Sequence, residues 1–114
     1  MAGFVQIIQF QTSRIDEIRA MQEEYRADAP ETAPTRVVIC ADRDRPNAYV
    51  VIAEFDSYEK AMENSNNPRT SELAARTAEL CDAPATFLNL DVTELVIPAQ
   101  ARSSSAESGA STTV

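Results

Sequence analysis

The chain opens with FVQIIQFQ from Phe4 to Gln11, where alternation puts Phe4, Gln6, Ile8 and Phe10 on one side and Val5, Ile7, Gln9 and Gln11 on the other. This pattern predicts a strand with no clean polar face. Over residues 13–28 the period lengthens: Ile15, Ile18, Met21 or Gln22, and Tyr25 recur at helical spacing, and Ser13 with Asp16 resembles a capping box. Pro30 and Pro34 in APETAP then punctuate a linker. Two β-branched runs, TRVVICA over 35–41 and AYVVIAEF over 48–55, flank the polar hexapeptide DRDRPN and predict an antiparallel hairpin with a charged tip.

Helical spacing returns with DSYEKAMENSNN, where Asp56 and Glu59 form a second N-cap pair and Ala61, Met62 and Ser65 form an inward stripe. Pro68 divides this helix from the next, for which Asn67 is the N-cap and Leu73, Thr77, Leu80 and Cys81 share a face. Alternation resumes after Pro84 and predicts the longest strand over 85–97. Residues 98–114 are small and polar without periodicity, too poor in apolar area to offset ordering, and are expected to be a flexible tail to a single domain over 1–97.

The element order βαββαβ predicts an α+β, ferredoxin-like fold, with a four-stranded antiparallel sheet and its helices on one face. The strands, however, are apolar on both sides: Val50 and Ile52 oppose Tyr49, Val51 and Ala53, and Val38 and Cys40 oppose Val37 and Ile39. A sheet with one solvated face should alternate cleanly, so a second covering layer is implied. The chain has no further helices to supply it, and the expected partner is a second copy, in a homodimer whose two sheets pack into a barrel.

Charge narrows the partners. The 114 residues carry a net charge of −8 and a pI near 4.4, with basic residues scattered singly, as at Arg14, Arg19, Arg26 and Arg36, so a nucleic-acid partner is not expected. Arg43 and Arg45 at the hairpin tip are balanced by Asp42 and Asp44, which argues for a solvated loop rather than an anion site. The first residues lack a basic, apolar leader and no run approaches the roughly 20 apolar residues of a membrane span; a soluble, cytoplasmic protein with no membrane partner is the expectation. Cys40 and Cys81 lie in apolar segments of a chain without histidine and are expected to be buried free thiols, with no metal site.

The stretch FDSYEKAMENSNNPR, from Phe55 to Arg69, together with the element order, resembles the antibiotic biosynthesis monooxygenase-like group of dimeric α+β barrel proteins. In that group an aromatic residue ends the third strand, an active-site His or Trp follows nine residues later, and a Pro four after that; Phe55, Asn64 and Pro68 hold those positions here. The resemblance implies a small monooxygenase-like enzyme acting on an aromatic or polyketide-like metabolite. Asn64 stands where many relatives have histidine and Phe55 where they often have tryptophan, and the chain contains neither His nor Trp. Histidine-ligated haem and histidine acid–base chemistry are thereby excluded. What the resemblance leaves is the cofactor-free style, in which the substrate's own anion activates oxygen and the pocket supplies hydrogen bonds, so no cofactor is expected. The alternative is a non-catalytic dimeric ligand-binding or structural module that lacks the active-site histidine.

Candidate site residues follow. Asn64 would orient a phenol or stabilise an oxyanion, or instead serve as a helix C-terminal amide. Tyr49 would assist it and Tyr25 would line the same cavity, although both residues also suit ordinary packing. Gln6 and Gln9 on the first strand and Asn89 and Asp91 on the last could form a polar patch in a ligand cavity. Asp91, if buried, could act as a base; alternatively it or Glu54 could bridge to Arg36 across the dimer interface. Because Gln6 and Gln9 fall on opposite sides of their strand, at most one of them can line the cavity. A cavity of roughly 300 Å³ or more with convergent polar groups would favour the enzyme over the module.

Overall fold

The computed structural model describes residues 3–98. Within them the elements run β1 (Phe4–Gln11), α1 (Ile15–Ala27), β2 (Arg36–Ala41), β3 (Ala48–Phe55), α2 (Tyr58–Ser65), α3 (Pro68–Leu80) and β4 (Thr86–Asp91). The four strands form one antiparallel sheet in the order β2-β3-β1-β4, the ferredoxin-like arrangement that the sequence predicts. The tail expected over 98–114 lies, apart from Pro98, outside the described residues.

Register fixes which side chains share a face. Phe4, Gln6, Ile8 and Phe10 stand opposite Phe55, Ala53, Val51 and Tyr49 on β3, and this side packs against the helices. Phe4, Ala53, Phe55 and Ala61 form one buried cluster under α2, with the Tyr58 ring edge-on to Phe4 at 5.4 Å. Phe10, Ile18, Met21 and Val51 form a second cluster under α1, flanked by Ile15, Leu73, Leu80 and Cys81. The other side of the sheet carries Val5, Ile7, Val38, Cys40, Val50, Ile52, Leu88 and Leu90, and none of these is fully buried.

Several local expectations are corrected. The first helix has no side-chain cap from Ser13; Thr12, fully buried, accepts from Arg14 N at 2.9 Å and donates to the Leu80 carbonyl at 2.7 Å, tying the start of α1 to the end of α3. The cap of α2 is Ser57 rather than Asp56, because its hydroxyl accepts from Lys60 N at 3.1 Å. Inward residues of α2 are Ala61 and Asn64, while Ser65 is exposed, so the stripe is displaced by one residue. Asn67 caps α3 and Pro68 opens it as expected.

β4 is shorter than the strand predicted over 85–97. Its last ladder position, Asp91, faces Phe4 at the start of β1, and Val92 N bonds the Gly3 carbonyl at 2.9 Å. Cys40 is exposed, against the expectation of burial, because β2 is an edge strand exposed along its whole length; Cys81, at the C-cap of α3, is half-buried, and burial pushes its thiol pKa up.

Candidate functional site

Asn64 is 7% exposed on the last turn of α2, where its helix has turned it toward the interior rather than toward its own carbonyls. Three hydroxyls surround its Oδ1: Thr70 Oγ1 at 3.0 Å, Thr32 Oγ1 at 3.1 Å and Tyr25 Oη at 3.3 Å. Tyr25 Oη and Thr70 Oγ1 are also 2.8 Å apart. Each hydroxyl has one hydrogen, so the shortest consistent set runs Tyr25 to Thr70 to Asn64, with Thr32 donating the second bond to the amide oxygen. Three residues, from α1, the Pro30–Pro34 linker and the first turn of α3, thus converge on one amide of α2.

Charge borders this cluster on one side. The Arg69 guanidinium lies 5.4 Å from the Tyr25 ring centre, and its Nη1 is 3.5 Å from an Asp28 carboxylate oxygen. Guanidinium over a phenol ring is a cation–π arrangement that holds the ring in place.

Two recesses are relevant to ligand binding. A groove of about 380 Å³ runs between α1 and α3 and is lined by Glu17, Ala20, Met21, Glu24, Arg76, Glu79 and Leu80. None of the Asn64 cluster lines it, and its three carboxylates disfavour a phenolate or enolate. The second recess is about 80 Å³, bounded by Thr32, Ala33, Thr35, Phe55, Asp56 and Lys60, with Glu31 at its edge. It adjoins the cluster through Thr32 but holds only two or three waters at about 30 Å³ each.

The remaining candidates lie in other surroundings. Gln6 and Gln9 do point to opposite sides of the sheet. Gln6 is on the helix side and donates through Nε2 to Asn89 Oδ1 at 3.0 Å. Gln9 is on the other side and accepts from Thr86 Oγ1 at 2.9 Å. Tyr49 stacks on Phe10 with ring centres 5.7 Å apart, in the cluster under α1. Asp91 ends β4 and is exposed, so the burial that would make it a base is lacking. Arg36 pairs with Glu54 at 3.1 Å within the chain, between neighbouring strands. Thr32 and Thr70 were not anticipated; the only signal for Thr70 is its position one turn into α3, and Thr32 sits in a linker with no periodicity. Among the described residues there is no group of three or more metal-ligating side chains, and no helix is long and apolar enough to cross a membrane.

No protein family model matches the chain, and no curated protein matches it in sequence. Solved structures do match its fold. SnoaB, a cofactor-independent oxygenase from Streptomyces nogalater, in an asparagine-to-alanine variant, superposes with a TM-score of 0.68 at 15% identity, over 82% of this chain and 96% of the other. The fold is that of the antibiotic biosynthesis monooxygenase-like, ferredoxin-fold proteins. An antibiotic biosynthesis monooxygenase matches with a TM-score of 0.65 at 14% identity, covering 80% of this chain and 99% of that one. A dimeric ferredoxin-like protein of unknown function from Thermobifida fusca matches at 0.63 and 15%, over 80% and 92% of the two chains. The resemblance drawn from Phe55, Asn64 and Pro68 therefore holds for the fold.

Proposed function

We propose that this chain forms a cytoplasmic homodimeric α+β barrel whose Asn64 cluster binds the oxygen substituent of a small aromatic or polyketide-like metabolite, in a cofactor-independent monooxygenase-like reaction. The observation that carries this reading is the buried amide of Asn64 with Thr32, Thr70 and Tyr25 around its oxygen. A substrate hydroxyl entering from the adjoining recess would replace the Thr32 hydroxyl at Asn64 Oδ1, one hydrogen bond exchanged for another. Tyr25 and Thr70 would hold the amide in place while it does so. The chemistry is that of the substrate's own anion: a ring CH2 loses a proton to solvent water, its carbanion adds dioxygen, and the hydroperoxide releases water to leave a carbonyl. The protein contributes position: Asn64 Oδ1, an acceptor, orients the ring through the substrate's own hydroxyl.

The homodimer is supported by the uncovered apolar side of the sheet, and a dimeric state is stated for the Thermobifida fusca protein of the same fold.

Oxygen consumption with a panel of phenolic and anthrone-like compounds tests the reaction. Uptake by the unaltered protein should fall about 100-fold in Asn64→Ala, the scale of losing one positioning contact. No uptake with any compound overturns it. One observation favours the second reading, a non-catalytic module: the recess beside Asn64 is about 80 Å³, well below a drug-sized ligand site. On that reading the cluster is a structural tie between the three helices, and Asn64→Ala changes stability with no ligand to lose.

A further inference from the structure

Residues 29–34 lead from the end of α1 toward β2 and pass beside Asn64. Both ends of this segment are fixed. Asp28, the C-cap of α1, lies 3.5 Å from Arg69 Nη1, and Thr35 donates through its backbone N and its Oγ1 to the Glu54 carbonyl at 2.8 and 3.1 Å. Between the anchors little holds it. Pro30 and Pro34 have no N–H to donate, and Ala33 N bonds within the segment, to the Pro30 carbonyl at 3.0 Å. None of the six side chains belongs to either buried cluster. Among the described residues, the bond from Thr32 Oγ1 to Asn64 Oδ1 at 3.1 Å is the one hydrogen bond or ion pair that ties 29–34 to the rest of the domain.

That tie also limits the site. The recess beside Asn64, walled by Thr32 and Ala33 of this segment together with Phe55 and Lys60, measures about 80 Å³, whereas ligand pockets start at about 300 Å³. A ring therefore enters only if the segment moves, and its movement breaks one side-chain hydrogen bond. The position given up is chemically specific: Thr32 donates to an acceptor, so whatever replaces it on Asn64 Oδ1 must bring its own O–H or N–H. Asn64 keeps Thr70 Oγ1 at 3.0 Å throughout, so the amide stays in place while its second donor is exchanged.

We propose that Thr32 is the gate of this site: its hydroxyl stands in for the substrate's on Asn64 Oδ1, the segment over 29–34 swings aside on entry, and the site selects rings that carry a hydroxyl donor over their ethers. This rests on the Asn64 reading above. Only the open form binds, so the apparent affinity is the intrinsic one reduced by the fraction open. One neutral hydrogen bond shifts such an equilibrium about 2- to 10-fold. In Thr32→Ala a water takes the vacated place, and it leaves without moving the chain.

Binding of 1-naphthol, followed by calorimetry, tests the gate apart from catalysis. Thr32→Ala should bind it about 2- to 10-fold more tightly than the unaltered protein, and Thr32→Ser, which keeps the hydroxyl, should match the unaltered protein. For the donor selection, 1-methoxynaphthalene should bind at least 10-fold more weakly than 1-naphthol. Equal affinity in Thr32→Ala and the unaltered protein overturns the gate, as does no binding to either; an ether bound as tightly as the naphthol overturns the exchange at Asn64 on which the gate depends. Oxygen uptake judges the oxygenase reading separately. With compounds that are turned over, Thr32→Ala should lower KM by the same factor at unchanged kcat, and uptake with KM unchanged overturns the gate while that reading stands. Should Thr32→Ala fail to fold, cleavage after Glu31 of the unaltered protein by a glutamate-specific protease decides: saturating 1-naphthol should speed it at least 3-fold as the segment lifts, and an unchanged or slower rate overturns the gate.

Discussion

The two sides of the sheet are built from similar residues but meet different surroundings. On the helix side Phe4, Phe10, Val51, Ala53 and Phe55 are buried, whereas on the opposite side Val38, Leu88 and Leu90 are exposed in the single chain. Hydrophobic composition does not distinguish them; coverage does. The helices reach only the central strands, so even on their own side Val37, Ile39 and Phe87 of the edge strands remain exposed. Polar groups are also arranged differently. The helix side carries the Asn64 cluster above it, each hydroxyl partnered, while the opposite side has Thr86 with Gln9 and Arg36 with Glu54 at its margins.

The sharpest break in that comparison is truncation within the covered side. Phe4→Ala removes a ring packed on Phe55 and Tyr58 and should lower unfolding free energy by about 3–5 kcal/mol in denaturant titration. The counterpart on the open side is Ile52→Asp, at the centre of a row with Ile7 and Val38. This substitution should weaken dimerisation at least 100-fold, about 2.7 kcal/mol, while the monomer keeps its circular dichroism. A variant that stays dimeric would place the interface elsewhere.

Smaller effects distinguish the polar groups. Asn64→Leu leaves Thr32 and Thr70 without their shared acceptor and should cost about 1–3 kcal/mol of stability. Thr12→Val removes the tie to Leu80 and the cap on Arg14, at about 1–2 kcal/mol by thermal unfolding. The smallest expected effect is kinetic. In dimer-weakened Ile52→Asp, a thiol reagent should modify Cys40 faster than Cys81, since Cys40 lies on the open side and burial raises the Cys81 pKa, leaving less thiolate. On the proposed homodimer, the Cys40 rate in the unaltered protein should drop toward that of Cys81.

Much of this was legible in the residues themselves. Periodicity placed every element, and the hairpin strand at Ala48–Phe55 and the cap at Asn67 coincide with the structure because those signals are local: β-branched alternation and an amide before a proline. Ser57 was missed as a cap because Asp56 beside it has equal capping chemistry, and only backbone geometry chooses between them. The end of β4 was missed because it depends on register against β1, at the opposite end of the domain's sequence. Tyr25 and Asn64 were both suspected, but Thr32 and Thr70 were not, since a hydroxyl in a linker and one on a helix have no pattern that joins them.

The sequence by itself determined the order and type of the elements, the opposite orientation of Gln6 and Gln9, and the presence of apolar residues on both sides of the strands. Those follow from the two-residue pleat and the helical turn, which act over a few neighbours. Tertiary structure decided that Gln6 meets Asn89, that the Asn64 oxygen gathers three hydroxyls, and that β4 stops at Asp91 and leaves Leu95 and Val96 in the open. These depend on register and on the meeting of distant segments, which no local period encodes.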